Sequence, residues 1–165
     1  MASSEAESPG QDRHRRASGS PLRISADLKD LAAVRRFIRD GAGSLERDED
    51  AFQALTQAVD ESLTNIVVHG YRGQPGFIEI ELSRAGDSLV VCLRDQAPPF
   101  DPTAVPSPDV TVPLEKRPPG GLGVHLTRRL ADRISYRPTP QGGNELTLEK
   151  RVFKPPRGKG SGSPT

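Results

Sequence analysis

The sequence has little cysteine, little net charge and no long hydrophobic run. Its single cysteine, Cys92, excludes an intramolecular disulfide and a cysteine-rich metal site, and points to a reducing compartment. Lys and Arg number 23 against 22 Asp and Glu, a net charge of +1. So small an imbalance sets up no field that would draw in nucleic acid or a membrane surface. No apolar run approaches the roughly 20 residues of a membrane span, and no signal-peptide-like apolar stretch follows Met1. The expectation is a soluble, cytoplasmic protein whose 165 residues suit one domain with a single core.

Only 33% of the residues are hydrophobic, and the ends account for part of that deficit. Residues 1–19 are mostly Ser, Glu, Arg, Gly and Ala, while 154–165 read Lys-Pro-Pro-Arg-Gly-Lys-Gly-Ser-Gly-Ser-Pro-Thr. Neither segment can bury enough apolar surface to offset the entropy of ordering. Both are expected to be disordered tails around a domain at 20–153. The Arg13-His14-Arg15-Arg16 cluster reads as solvated tail rather than as a nucleic-acid contact. No internal repeat is visible.

Within the domain, Leu22–Ser25 reads as a short strand. Asp27 then caps a helix with Leu28, Leu31, Ala32 and Ile38 near one face. A second helix, about 47–69, carries Phe52, Leu55, Val59, Leu63 and Ile66 on one stripe. Phe77 to Ser83 alternates as a strand, and the turn Ala85-Gly86-Asp87 leads into the apolar strand Leu89–Leu93, antiparallel to it. Residues 96–119 hold eight of the sixteen prolines and no periodicity. A loop that long inside a compact domain is functional, as a lid is, or disordered. A helix at about 122–133 and two strands, Ile134–Arg137 and Glu145–Val152, close the chain. This order gives an α/β two-layer sandwich, with helices on one face of a mixed, mostly antiparallel sheet.

Three stretches combine polar residues with glycine in ways a plain core does not need. Glu61, Asn65 and His69 follow one another at i, i+4 and i+8, a polar strip flanking the buried stripe of the second helix. Glu61 alone reads better as exposed helix surface. Asn65, a poor helix former in mid-helix, does not, and its amide oxygen beside a carboxylate suits Mg²⁺ and its waters. Asp95, at the end of the apolar strand, can cap the following turn or accept a hydrogen bond from an exocyclic amine such as that of adenine. Gly120-Gly121-Leu122-Gly123 opens a helix, where bare backbone N–H groups favour phosphate oxygens, or serves as a hinge to the long loop. No Gly-Lys-Ser/Thr follows, so this is not a Walker loop.

Taken together, these stretches resemble the ATP-binding boxes of the GHKL ATPases, and within them the anti-sigma-factor serine kinases of the sporulation and general-stress type. Glu61-Ser62-Leu63-Thr64-Asn65, continuing to His69-Gly70-Tyr71, resembles the N box. Asp95 to Phe100 resembles the adenine-binding box, and Gly120 to Gly123 the glycine box that ends the ATP lid. The resemblance covers 22–152. It implies a Bergerat-type sandwich holding ATP and Mg²⁺ between the helical layer and a lid at about 96–120. It also implies Glu61 as general base, Asn65 as Mg²⁺ ligand and Asp95 as acceptor of the adenine amine beside Ala97. Gly120, Gly121, Leu122 and Gly123 would wrap the phosphates, and His69 matches the motif without an assigned role.

Two positions depart from the family pattern. Ala97 stands where the adenine box has Gly, so its methyl is expected to crowd the base. Asn144 stands where the last strand pair has Thr, so a hydroxyl contact is expected to be missing. The resemblance implies an ATP-dependent serine/threonine protein kinase acting as an anti-sigma factor. Its partners would be a STAS-type anti-sigma-factor antagonist as phosphoacceptor, a sigma factor, and a second copy of the chain through the first strand and helix. A nucleotide-sensing binding module without phosphotransfer is the alternative. A complete histidine kinase is not expected, because the only upstream histidine, His14, lies in a segment without apolar periodicity.

Overall fold

A computed structural model describes residues 15–107, 109, 111–116 and 121–155. In chain order it contains β1 (Arg16–Ala17), β2 (Leu22–Ser25), a 3₁₀ turn (Leu28–Asp30), α1 (Leu31–Ala42), α2 (Glu49–Asn65) and a π-helical segment (Ile66–Tyr71). These are followed by β3 (Phe77–Ala85), β4 (Ser88–Asp95), a 3₁₀ turn (Leu114–Lys116), α3 (Gly121–Leu130), β5 (Arg133–Pro138) and β6 (Asn144–Arg151). The strands form one sheet in the order β1-β3-β4-β6-β5, with β2 on the same edge of β3 as β1. Every pairing among the described strands is antiparallel. The expected two-layer α/β sandwich is therefore the architecture.

The core lies between the sheet and the helices. Ile78, Ile80 and Leu82 of β3, Leu89, Val91 and Leu93 of β4, and Leu146 and Leu148 of β6 face Val34 and Ile38 of α1 and Phe52, Leu55, Val59 and Leu63 of α2. Asp48 caps α2 by accepting a bond from the Ala51 N–H at 3.0 Å, with Glu49 and Asp50 in the positive first turn. Asp27 caps as expected, accepting from the Lys29 N–H at 2.9 Å, but what it starts is a 3₁₀ turn. That tighter turn shifts the phase of α1. Val34, Ile38 and Ala42 are its buried residues, while Leu28 and Ala32 are exposed.

Three further expectations need correction. The second helix does not run straight to 69: α2 stops at Asn65 and winds on with i→i+5 bonding to Tyr71, ending at Arg72 in a left-handed conformation (φ 53°). The N-terminal tail does not extend to 19, because Arg16 and Ala17 pair with Arg84 and Ser83, and the Ser18 N–H donates to Leu82 O at 2.9 Å. Nor is Lys154 tail: its N–H donates to Glu46 O at 3.1 Å. Among the α3 residues whose burial is described, Val124 and Thr127 are buried, whereas Leu126 and Leu130 are half-buried. Residues 1–14 and 156–165 lie outside the described residues.

The sheet's other face combines buried Val90 and Cys92 with a network of cross-strand ion pairs. Arg94 of β4 donates to Glu145 Oε2 at 2.7 Å and to Glu81 Oε2 at 2.8 Å, and Arg137 donates to Glu145 Oε1 at 2.6 Å. Burial opposes ionisation of Glu145, but the bonds from Arg137 and Arg94 outweigh it and hold its carboxyl below the ordinary range. One face of the sheet thus packs on helices, while ion pairs centred on Arg94 and Glu145 tie strands together on the other. No helix among the described residues is long and apolar enough to cross a membrane.

Candidate nucleotide site

The last two turns of α2 set the first wall. Glu61 and Asn65, one turn apart, lie on the side of α2 against which α3 packs. At Gly123 of α3 this approach is so close that a Cβ there would sit 3.1 Å from Glu61 Oε2 and 3.5 Å from Asn65 Oδ1. A side chain at 123 would crowd the Glu61 carboxylate and touch the Asn65 amide, so the glycine leaves both groups undisturbed where α3 comes nearest to them. Gly121 and Leu122 open the helix just before it. Gly120 lies outside the described residues. His69 is exposed on the π-helical segment, turned off the straight continuation of the Glu61–Asn65 strip.

The second wall is the end of the central strands. Asp95, the last residue of β4, is only 3% exposed. Its Oδ1 accepts two bonds at 2.9 Å, from the Ala97 N–H and from Asn144 Nδ2. Its Oδ2 accepts none among the described residues, and Asp95 lines the cavity described below. Burial raises the pKa of this carboxyl, against the lowering effect of the Asn144 and Ala97 bonds. Asn144 stands opposite Asp95 because Gly143 precedes it: a Cβ on Gly143 would lie 2.0 Å from Asp95 O.

Between the walls lies a cavity of about 1040 Å³. Asn65, His69, Asp95, Ala97, Tyr136 and Asn144 are among the residues that line it. Glu61 does not line it; its carboxylate sits behind, against Gly123. The proline-rich segment forms the outer rim, and Arg128 of α3 ties it down by donating to the carbonyls of Pro102, at 2.7 Å, and Val105. Tyr71, from the N-box stretch, joins the two walls: its hydroxyl donates to Phe77 O at 2.7 Å and accepts from the Gln96 N–H at 2.9 Å.

The two family departures look different in this geometry. The Ala97 side chain meets the π-helical segment at Gly70, where a Cβ would lie 3.0 Å from the Ala97 methyl carbon. The methyl is thus accommodated by a missing side chain across from it. Asn144 does more than fill the place of a hydroxyl. Its Nδ2 bonds Asp95 and the carbonyls of Ala97 and Pro98, and its Oδ1 accepts from the Phe100 N–H and the Tyr136 hydroxyl. Tyr136 and Arg128 carried no site signal in the sequence, and Tyr71 appeared there only as part of the N-box stretch. Asn144 was visible there only as a departure.

The site suits an adenine nucleotide and a divalent cation. The cavity is of ligand-binding size, one buried acceptor oxygen opens to it, and glycine permits close approach at the helix start. Among the described residues no group of three or more His, Cys, Asp or Glu could hold a metal ion. A cation here would therefore rest on the Asn65 amide oxygen, phosphate oxygens and water, the ligands Mg²⁺ favours.

An antiparallel sheet with helices on one face and a cavity of about 1040 Å³ beside the end of its central strands defines an α/β sandwich with a ligand-sized cavity. Residues 24–150 match the histidine kinase-like ATPase domain family, and the chain belongs to that family. It is 29% identical over 117 residues to serine-protein kinase RsbW of Bacillus cereus (strain G9842), covering 68% of this chain and 73% of that protein. The same figures hold for serine-protein kinase RsbW of Bacillus thuringiensis subsp. konkukian (strain 97-27). A crystal structure of the RsbU and RsbW domains of a Mycobacterium tuberculosis protein matches with a TM-score of 0.52 at 19% identity, covering 83% of this chain and 34% of that one. That likeness concerns the fold alone. The resemblance to GHKL anti-sigma serine kinases drawn from the three sequence stretches is borne out.

Proposed function

We propose that the protein binds ATP with Mg²⁺ in this cavity and phosphorylates a serine or threonine of a STAS-type anti-sigma-factor antagonist. In this reading it is an anti-sigma factor that sequesters a sigma factor until the antagonist displaces it, and it works in the cytoplasm, as a homodimer. The observation that carries the reading is the close approach of Gly123 to Glu61 and Asn65 beside a cavity that Asn65 and Asp95 both line. The kinase name of the Bacillus relatives supports the choice of reaction.

Bound ATP supplies the phosphoryl group, and Mg²⁺ neutralises charge on its phosphates. The chain's own residues do the positioning, which is most of what phosphoryl transfer needs. Asp95 accepts the adenine amine, and Asn65 supplies an oxygen to the cation. Gly121, Leu122 and Gly123 open α3, whose positive end offers backbone N–H groups to the phosphates, and Gly120 belongs to the same phosphate-binding stretch of the sequence. Glu61 orients the acceptor hydroxyl and takes its proton. Phosphate on the antagonist adds about −1.5 to −2 charges, enough to expel it from a matched interface.

Incubation with labelled ATP and a cognate STAS-type antagonist tests the reading. Phosphoserine or phosphothreonine is expected, and Glu61→Ala lowers the rate about 10²–10⁴-fold while ATP still binds. If no phosphorylated residue forms, the kinase reading ends. The position of Glu61 behind Gly123, off the cavity wall, favours a second reading: a module that senses nucleotide without transferring phosphate. A Glu61→Ala protein that regulates its partner as well as the parent does would select it.

A further inference from the structure

Asn144 is 7% exposed, and all its hydrogen-bonding capacity is used. Its amide orientation is fixed by its neighbours. The Phe100 N–H, 2.9 Å away, can only donate, so it must face Oδ1. The Asp95 carboxylate and the carbonyls of Ala97 and Pro98 can only accept, so they must face Nδ2. Tyr136 then donates its hydroxyl hydrogen to Oδ1 at 2.8 Å. The consequence falls on Asp95. A carboxylate oxygen has two lone pairs, and the Ala97 N–H and Asn144 Nδ2 take both on Oδ1.

We propose that Asn144, held by Tyr136, is a specificity-determining positioning residue: by saturating Oδ1 of Asp95 it leaves one acceptor oxygen facing the cavity instead of two. The number of acceptors decides which purine edge fits. Guanine offers two adjacent donors, N1–H and the 2-amino group, which pair with both oxygens of a free carboxylate. Adenine offers one exocyclic amine and needs one oxygen. Asn144 thus selects the 6-aminopurine by denying the 6-oxopurine its second partner. The inference rests on the nucleotide reading of the cavity and adds the residue that sets its base selectivity.

The test is calorimetric titration of the full chain with ATP and with GTP, in Mg²⁺, for the parent and three variants. Asn144→Thr and Asn144→Val are nearly the same shape, but only threonine keeps a donor for Asp95. The ATP-over-GTP affinity ratio is expected to fall about tenfold in Asn144→Val. The change comes mainly from tighter GTP binding, and Asn144→Thr stays within about threefold of the parent. A purely structural role would weaken both nucleotides together. Tyr136→Phe leaves the half-buried ring in place and should lower the ratio about threefold, which keeps the inference testable should Asn144→Val not fold. Equal ratios in the threonine and valine variants, or an unchanged ratio in Tyr136→Phe where valine cannot be measured, overturn it. ATP binding with unchanged discrimination overturns this inference alone. A parent that binds neither nucleotide overturns the nucleotide reading and this inference with it.

Discussion

The two ends of the β4–β6 pair each hold an aspartate, and they leave it in opposite states. At the Ser88–Arg151 end, Asp132 is half exposed and both its oxygens are used, Oδ1 by Lys150 Nζ at 3.3 Å and Oδ2 by the Arg151 N–H at 2.8 Å. The backbone closes over this end, with the Val152 and Phe153 N–H groups both donating to Asp87 O. At the other end, Asp95 is buried and one of its oxygens is unmatched by any described residue. An exposed carboxylate gains little from being saturated, and a buried one loses much by not being saturated. Asp95 Oδ2 is not among the fully buried atoms left without a partner, and Asp95 lines the cavity, so its open oxygen is reachable there, as a binding site requires.

Gly143→Ala should break the contrast most heavily. The added Cβ would lie 2.0 Å from Asp95 O, a backbone atom that cannot rotate away. The β6 strand must then back off, taking Asn144 from Asp95, at a cost of about 3 kcal/mol, the upper end of overpacking. Urea denaturation should register that loss together with weaker ATP binding. A variant as stable as the parent would mean that the strand end yields freely.

Asp95→Asn should separate stability from function. Its amide oxygen can still take the bonds from Ala97 and Asn144, while its NH₂ replaces the open oxygen and turns an acceptor into a donor. ATP affinity is expected to fall about 10–100-fold, the range for a bond to a charged group. Thermal stability should move the other way. Burial raises the pKa of Asp95, so its ionised form costs stability. That cost is complete above the folded-state pKa, shrinks as pH falls through it and vanishes below the unfolded value of about 3.9. Asp95→Asn should therefore melt above the parent at pH 7 and with it near pH 3. A lower melting point at neutral pH would show that the carboxylate stabilises the fold.

Local pattern was enough for the apolar stripe of α2 and the alternation of β3, because spacing alone fixes which residues face the core. The three site stretches could likewise be placed in order along the chain. What spacing could not supply was anything decided by a distant partner. Arg16–Ala17 has no strand pattern and becomes a strand only because the edge of β3 is there to pair with. The apolar run Ile66-Val67-Val68 continues a helical pattern, so the switch to π winding after Asn65 leaves no trace in it. Asn144 read as a missing hydroxyl, because its bonds reach back 49 positions to Asp95 and cannot be seen without the register of β4 on β6. Gly123 read as a phosphate loop, and only the packing of α3 on α2 reveals that it also faces the Glu61 carboxylate at close range.

The smallest effect should come from the closed end, and it is the control on which the contrast depends. Asp132→Asn keeps an oxygen for the Arg151 N–H and gives up only the charge facing Lys150. That pair is exposed on the Asp132 side, where solvent screening leaves such bridges about 0–1 kcal/mol. The melting point should hardly move, and ATP affinity should not move at all, because the β4–β6 ladder between the two ends is paired residue by residue from Ser88 to Asp95. An ATP affinity that changes in Asp132→Asn would mean that the ladder transmits strain along its length, and the open end could then no longer be treated as independent of the closed one.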